Sequence, residues 1–542
     1  NTVVAQAGAN QAILGRFDDN RARYNRQIGN LEAEFEGQEL AFFAQDSWRI
    51  SPRLSINYGL RAEQQYNPTP DISNTPIVDI VRNTRFPIRG AGYDPSDIPD
   101  SGWQFGPRVG FAFDPEGQGK MVVRGFAGYY YARTPLIVLA DSTNNYRNPP
   151  ANVSTTLPFT GFNQNTFNTF LGTPAGAQYR AITGCNPAAA AGTDARNRCT
   201  PNTVYRQFAI IGVNLNSFAL NSLPVISPDQ ISSIASGLGL NPNPFVGAQI
   251  TGHAEDFKNP RSFQFGFAFE REVARNFTVG IDYAHVKTDR IQRNRDLNLP
   301  APLSAEGYVE FLRTSNTAAN FNTMVTNGTI GQILQSQRTF IAINTPAGLT
   351  FPGGSVTTRQ RPTQAQQGFA LGAVQVREST AKALYRGLTF RARYNHRRAQ
   401  LNAYYVFSRT LGDDDNERDA GGVAFANPYD LTREFNRSRL DREHQFTANP
   451  VFFLPGGFEV ASAIRLRSGN PINPTAGADL NGDGVNNDRP LLVPGLTYLR
   501  NDFRNRSIYD VDLRLQKGFS LGERKRLVFS SEFFNVLNRS NI

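Results

Sequence analysis

Strict alternation of apolar and polar residues, sustained for ten or more positions, is the feature that most constrains how this chain can fold. Phenylalanine occupies every second position from Phe263 to Phe269, and small or polar residues stand between. From Leu54 to Glu63 the same alternation places full charges on one set of positions. Because successive side chains of a β-strand point to opposite sides, the pattern predicts strands with one apolar and one polar face.

The alternating segments form hairpins, each made of two long strands joined by a short polar or Gly/Pro turn. The chain has about twelve such strands of about 10 to 14 residues, whereas a globular strand usually has about 5 to 6. A tilted strand needs about 9 to 11 residues to cross a bilayer. The predicted hairpins span Gln38–Gln65, Phe105–Tyr131, Ser262–Lys287, Leu384–Leu411, Glu443–Arg467 and Ser507–Leu537.

The connections between hairpins are long, from a few tens of residues to well over a hundred between Ala132 and Arg261. Short turns at one end and long loops at the other are typical of transmembrane barrels, whose periplasmic turns are short and extracellular loops long. Strands in lipid must close into a barrel because an unpaired edge is too costly there. The sequence therefore predicts an all-β fold, a transmembrane antiparallel β-barrel. A secreted soluble β protein that binds carbohydrate is the alternative.

In such a barrel the apolar faces contact outer-membrane lipid, and the polar faces line a water-filled lumen. Charges of both signs on a lumenal wall can pair with each other or contact water. We expect most of them to form this solvated wall, and fewer to contact a substrate. The polar residues predicted to face the lumen are Arg61, Glu63, Arg391, Arg393, Asp510, Asp512 and Arg514.

Composition and motifs argue against several other classes of protein. The net charge of +10 comes from basic residues spread over the whole chain, whereas nucleic-acid binding favours a clustered basic patch. No run of 18 apolar residues occurs, which excludes a bundle of membrane helices. Four dispersed histidines and the absence of metalloprotease, hydrolase and P-loop motifs predict that the chain is not an enzyme.

Several stretches, in this order, resemble the barrel of TonB-dependent outer-membrane receptors, and in particular the Oar-like branch that carries a carboxypeptidase-regulatory-like domain. The likeness is strongest in the strands and absent from the long loops. The stretches that carry it are Leu40–Glu63 (LAFFAQDSWRISPRLSINYGLRAE), Phe105–Arg133, Asn259–Ile291, Tyr405–Asp415, Ser468–Asn473, Asp479–Pro490 and Phe533–Ile542 (FFNVLNRSNI).

The resemblance implies a barrel of about 22 strands in the bacterial outer membrane, a plug domain and an energy-coupling partner of the TonB type. We expect residues 1–36 to form a loop or irregular segment that leads into the barrel. Residues 37–542 are expected to form the barrel, without a plug and without the final closing strand. The implied function is ligand capture and uptake across the outer membrane. The alternative is a surface or assembly barrel whose loops bind neighbouring envelope or surface proteins without transport.

Asp479, Asn481 and Asp483, followed by a glycine, match the opening of a calcium loop, in which alternate oxygen side chains converge on the ion. The twelfth position, normally glutamate, is Pro490, so Asn487 or Asp488 is the candidate for a further oxygen ligand. We predict a Ca²⁺ site here and no other cofactor. An Asn/Asp/Gly-rich turn without a metal is the alternative.

Cys185 and Cys199, the only two cysteines, lie 14 positions apart in the longest loop. Proteins of the bacterial envelope are oxidised on export, so we predict a disulfide between them. Two free thiols or metal ligands are the alternative.

Acidic residues are densest at the outer end of one strand, from Asp413 to Asp415 and again at Glu417 and Asp419. We predict a solvated loop tip, with a cation site as the alternative.

Overall fold

The computed structural model of the 542-residue chain consists mainly of long antiparallel β-strands. The strands pair in chain order, each with the one before it and the one after it. The residues that the structure describes are 24–28, 34–70, 75–86, 88, 93–145, 153–157, 171–172, 177, 180, 186, 188, 250–299, 309–310, 313, 317–335, 371–415, 425–477, 487–493, 496–522 and 525–540.

Twelve long strands follow one another along a sheet that also holds two short strands, and every neighbouring pair of the twelve is antiparallel. The six hairpins expected from the alternation are confirmed. The strands are β1 (Gln38–Ser51), β2 (Leu54–Tyr66), β3 (Gln104–Phe113), β4 (Met121–Tyr131), β5 (Arg261–Ala274), β6 (Phe277–Asp296), β7 (Val374–His396), β8 (Ala399–Gly412), β9 (His444–Leu454), β10 (Phe458–Arg467), β11 (Ile508–Ser520) and β12 (Arg526–Phe533).

Short elements decorate the connections between these strands. In the described part of the chain, no helix is long and apolar enough to span a membrane. The helices are α1 (Thr75–Asn83), α2 (Leu136–Asn145), α3 (Ala318–Thr326) and α4 (Thr329–Gln335), with a 3₁₀ turn at Pro455–Gly457. The short strands are Tyr24–Ile28 with Val153–Leu157, Ile250–His253 parallel to the start of β7, Asn436–Arg437 with the end of β8, Pro471–Ile472 with Phe503–Arg504, and Leu491–Val493 with Leu496–Thr497.

β6 and β7 are longer than the sequence predicts, at 20 and 23 residues. The alternation ends near Lys287 and starts near Leu384, but the two strands stay paired past these points, across a register shift at Ala381. Beyond the shift even polar residues such as Arg293 are buried. The alternation disappears there because loops cover both faces of the hairpin.

Apolar residues occupy two different environments. On β5, Phe263, Phe265 and Phe269 are half-buried, and Phe267 is 50% exposed, so no packed layer covers them. This uncovered apolar face is what contact with lipid requires. The buried apolar cluster of the described residues lies instead among the long loops and comprises Val78, Val81, Phe86, Tyr93, Ile250, Ala254, Leu297, Leu371, Val374 and Val376.

β1 and β12 are the two edges of the sheet within the described residues, and no pairing between them is seen there. The predicted bounds, with a leading segment at 1–36 and a barrel at 37–542, stay predictions. Residues 1–23 and 29–33 lie outside the described part of the chain.

Candidate functional site

The pairing register places all seven residues predicted to face a lumen on one side of the sheet. In an antiparallel pair, directly opposed residues point to the same side. Following the opposed pairs from Arg61 on β2 through Arg391 on β7 to Asp510 on β11 keeps to this side throughout. We call this side the polar face and the side that carries Phe267 the apolar face. That the polar face encloses water stays a prediction.

Ion pairs run across the polar face. The Arg61 and Glu63 side chains are 2.6 Å apart on β2, and the Arg391 guanidinium lies 2.7 Å from the Asp282 carboxylate on β6. All four side chains remain partly accessible. Pairs of this kind contribute about 0 to 1 kcal/mol each, because water screens them. They suit a solvated wall better than a rigid core.

The same arrangement recurs on β10 and β11. The Arg465 guanidinium lies 2.7 Å from the Asp510 carboxylate and 4.0 Å from that of Asp512. Arg514 donates to the Gln516 side chain at 2.6 Å and lies 3.8 Å from Glu532. Arg393, on β7, is exposed on the same face. Basic and acidic groups therefore alternate along this wall.

A cavity of about 470 Å³ opens on the polar face across β1 to β4. Gln45, Asn57, Arg108, Phe126 and Tyr130 line it. These side chains supply neutral hydrogen-bonding groups, one cation and two aromatic rings. Such a lining can bind a polar ligand that also has an apolar surface.

Two glycines leave room for the Arg108 side chain and the Phe126 ring of this cavity. A Cβ atom at Gly128 would come within 2.9 Å of the Cβ of Arg108, and one at Gly266 within 2.6 Å of the Phe126 ring. Arg108 in turn lies over the Tyr130 ring, 5.0 Å from its centroid. Larger residues at the two glycine positions would push these side chains into the open space of the cavity.

Several charged residues among the long loops are buried, unlike those of the polar face. Arg489 and Glu434 form two parallel hydrogen bonds of 2.9 and 2.7 Å, and their side chains are 4% and 1% exposed. Arg293 bonds to Asp413 at 2.8 Å, and both are buried. Removing one partner of a buried pair typically costs about 3 to 5 kcal/mol. These pairs join loop segments that lie far apart in the sequence. Together with the buried apolar cluster around Phe86 and Ile250, we call them the loop platform.

The expectation of a solvated acidic loop tip is wrong for Asp413, Asp414 and Asp415. The first two are buried, and the Asp415 side chain is 6% exposed and accepts a hydrogen bond from Arg500. Asp413 also accepts from the backbone N–H of Lys382 at 2.6 Å. Arginines from distant segments neutralise this cluster, which local sequence cannot reveal. Glu417 and Asp419 lie outside the described residues.

His253 is a buried residue of the loop platform that the sequence did not single out. Its Nδ1 lies 2.8 Å from the Ser142 hydroxyl, and its ring meets Phe257 edge-on at 4.7 Å. Burial, together with the nearby positive charge of Arg377, lowers the pKa of His253 well below its ordinary value. The histidine is therefore neutral and structural at physiological pH. Its isolated position in the sequence carries no signal of this role.

The calcium and disulfide predictions remain predictions. Asp479, Asn481 and Asp483 lie outside the described residues, as do Cys185 and Cys199. The described Asn487 donates its side-chain N–H to the Phe425 carbonyl at 3.0 Å. Among the side chains that the structure describes, no group of three or more His, Cys, Asp or Glu is arranged to hold a metal ion.

The solved structures to which the chain is similar include a transporter and a receptor of the outer membrane. The outer membrane transporter YddB from Escherichia coli has 10% identity and a TM-score of 0.42, over 92% of this chain and 42% of that one. The FrpB iron transporter from Neisseria meningitidis has 9% identity and a TM-score of 0.39, over 93% and 42%. The ferripyoverdine receptor of Pseudomonas aeruginosa has 8% identity and a TM-score of 0.37, over 93% and 35%. The chain thus spans less than half the length of these structures.

Membership of a family rests on the sequence itself. No curated protein matches the chain. The model of the family described as outer membrane beta barrel domain matches residues 2–498, which is most of its length. The alternating strands, the short turns and the uncovered apolar face agree with that match. The chain therefore belongs to the outer membrane β-barrel domain family and is a protein of the bacterial outer membrane.

Proposed function

We propose that this chain forms the barrel of a receptor that captures a ligand at the cell exterior and passes it across the outer membrane. The observation that carries the proposal is the charged, cavity-bearing polar face on strands whose opposite face is apolar. A face of this kind provides a hydrated path through the bilayer. The loop platform, tied together by buried ion pairs, offers a firm surface at the outer end.

Energy coupling through a TonB-type protein is part of this proposal and rests on the resemblance of the strand motifs. The Oar-like branch rests on the same motifs. The similar solved structures are transporters and a receptor, among them an iron transporter. The proposal does not identify the ligand, because ligand specificity is determined by the side chains of the loops and the cavity.

Single-channel conductance of the full chain in planar bilayers tests the proposal. Cys185 and Cys199 are first replaced by serine, and Asn57→Cys then places a thiol in the cavity, with Leu60→Cys on the apolar face as the control. Water-soluble maleimides of increasing size are expected to reduce the conductance of the Asn57→Cys protein stepwise and to leave the control unchanged. Equal effects on both proteins, or no conductance at all, would contradict a hydrated path along the polar face.

A surface or assembly barrel is the second candidate, and exposed apolar side chains in the loops favour it. Leu440 is 76% exposed, and Ile472, Leu492 and Phe503 are also exposed. Such residues are typical of contacts between proteins. Photo-crosslinking from position 440 in intact cells distinguishes the two functions. Capture of a neighbouring envelope protein, combined with a chain that does not conduct, would favour assembly over transport.

A further inference from the structure

We propose that the turn end of the sheet binds the anionic headgroups of phospholipids in the leaflet that it faces. Basic residues gather at all the short turns, and nearly all are exposed. We call them the basic rim. It comprises Arg49, Arg53, Lys120, Arg271, Arg275, Arg397, Arg398, Lys517, Lys525 and Arg526.

The carboxylates described at the turns are fewer than the basic residues of the rim, so a net positive charge remains there. Asp114 accepts hydrogen bonds from the backbone N–H groups of Gly117 and Gly119, each at 2.8 Å. Glu272 accepts from the backbone N–H of Asn276 at 2.9 Å. Glu116 pairs with Arg271 at 2.9 Å. Within the described residues, Arg271 is the basic-rim member for which an ion pair is seen.

The loop end shows the opposite arrangement. There the guanidinium groups of Arg293, Arg489 and Arg500 are buried against carboxylates. The chain thus neutralises many of its arginines at one end and leaves them open at the other. An anion supplied from outside the chain would complete the pairing at the turn end.

Lys517 indicates where that anion lies. The register places it on the apolar face, opposite Phe458 and Phe529. Its ammonium nevertheless reaches the turn, where it donates to the Gly456 carbonyl and lies 4.0 Å from the centroid of the Phe458 ring. A lysine that starts on the lipid side and extends its charge to the turn places it at headgroup level.

Exposed aromatic side chains mark the same level. Trp48 is 58% exposed and faces the apolar side at the end of β1, and Phe458, Phe519 and Phe529 are exposed around Lys517. Aromatic rings collect where acyl chains meet headgroups. The phosphates of this layer are therefore within reach of the basic rim. Clusters of basic residues beside a membrane are known to favour anionic lipids, in a manner that salt screens.

The two tryptophans of the chain allow a direct test, because Trp48 lies at the turn end and Trp103 near the loop end. The full chain, as the Trp103→Phe variant, is reconstituted in bilayers that contain brominated phosphatidylglycerol or brominated phosphatidylcholine. Quenching of Trp48 gives the relative affinity of the two lipids at the rim. We expect phosphatidylglycerol to be preferred at least about threefold, and the preference to fall in about 0.5 M salt.

Two variants that each remove three positive charges, one at the turn end and one at the loop end, identify which residues cause the lipid preference. Arg53→Gln, Lys120→Gln and Arg275→Gln together are expected to lower it at least about twofold. Lys258→Gln, Arg439→Gln and Arg506→Gln, which remove the same charge from exposed positions at the loop end, should leave it unchanged. The Trp48→Phe variant, which reports from Trp103, should show a weaker preference. No preference at Trp48 in the parent protein, or equal losses in both triple variants, would overturn the proposal.

Discussion

The same kinds of side chain are exposed on the membrane-spanning strands and buried in the loop platform. On the strands, Phe267 is half exposed and the pair of Arg391 and Asp282 is accessible. In the platform, Phe86 has no exposed surface and the pair of Arg489 and Glu434 is buried. The difference follows from the surroundings. Lipid covers the strands from outside, whereas the loops must bury their own apolar groups to stay folded.

The largest effect is expected when a buried ion pair of the platform is broken. Arg489→Ala leaves the Glu434 carboxylate buried without its partner, which should cost about 3 to 5 kcal/mol of local stability. Hydrogen exchange of the amides in 425–441 and 487–500 measures this loss. Arg465→Ala on the polar face removes a partner of the accessible Asp510 and should cost less than about 1 kcal/mol. Similar costs for the two variants would refute the contrast.

A large-to-small substitution compares the apolar groups of the two regions. Phe86→Ala in the loop cluster leaves a cavity and should cost about 3 to 5 kcal/mol of local stability. Phe267→Ala on the apolar face should cost much less, because lipid chains can fill the vacated space. Hydrogen exchange around α1 and around β5, with each variant in the same bilayer, compares them. A cost for Phe267→Ala as large as that for Phe86→Ala would indicate a packed layer over β5.

A lower pH should reduce the stability of the folded loop platform and leave that of the strands unchanged. The pKa of His253 is lowered by burial and by Arg377, so the unfolded loops bind a proton that the folded ones exclude. Stability is therefore complete above the ordinary histidine pKa near 6.5. It falls by at most about 1.4 kcal/mol per pH unit below it. Hydrogen exchange of residues 250–257 between pH 7.5 and 5 checks this slope. The slope should vanish in His253→Gln; its persistence there would assign it to another group.

The structure of a region can be predicted from the sequence when the contacts that determine it join residues close together in the chain. The hairpins follow from alternation within ten-residue segments, because each strand meets two different surroundings on its two faces. β6 and β7 depart from the prediction only beyond Lys287 and before Leu384, where loops cover both faces.

The platform could not be predicted from its residues in the same way. Arg293 and Asp413 are 120 positions apart, and Arg489 and Glu434 are 55 apart. No periodic pattern links such partners, so Asp413 and its neighbours read as a solvated tip. The seven polar-face residues were predictable because the side of the sheet on which they lie depends only on position along a strand. Which of them pair with each other depends on register, and that is set by the turns.

The smallest effect on stability, and the one most telling for function, is expected at the polar face. Arg391→Gln breaks an accessible ion pair whose atoms are 2.7 Å apart. The free energy of unfolding, measured by thermal denaturation, should therefore change by less than about 1 kcal/mol. If the polar face lines a hydrated path, loss of this cation should nevertheless shift the ion selectivity of the channel toward cations, as reversal potentials in a salt gradient would show. Arg439→Gln, at an exposed loop position, serves as the matched control and should leave selectivity unchanged. A selectivity shift equal to that of the control would mean that Arg391 does not face the conducting path, even though the register places it on the polar face.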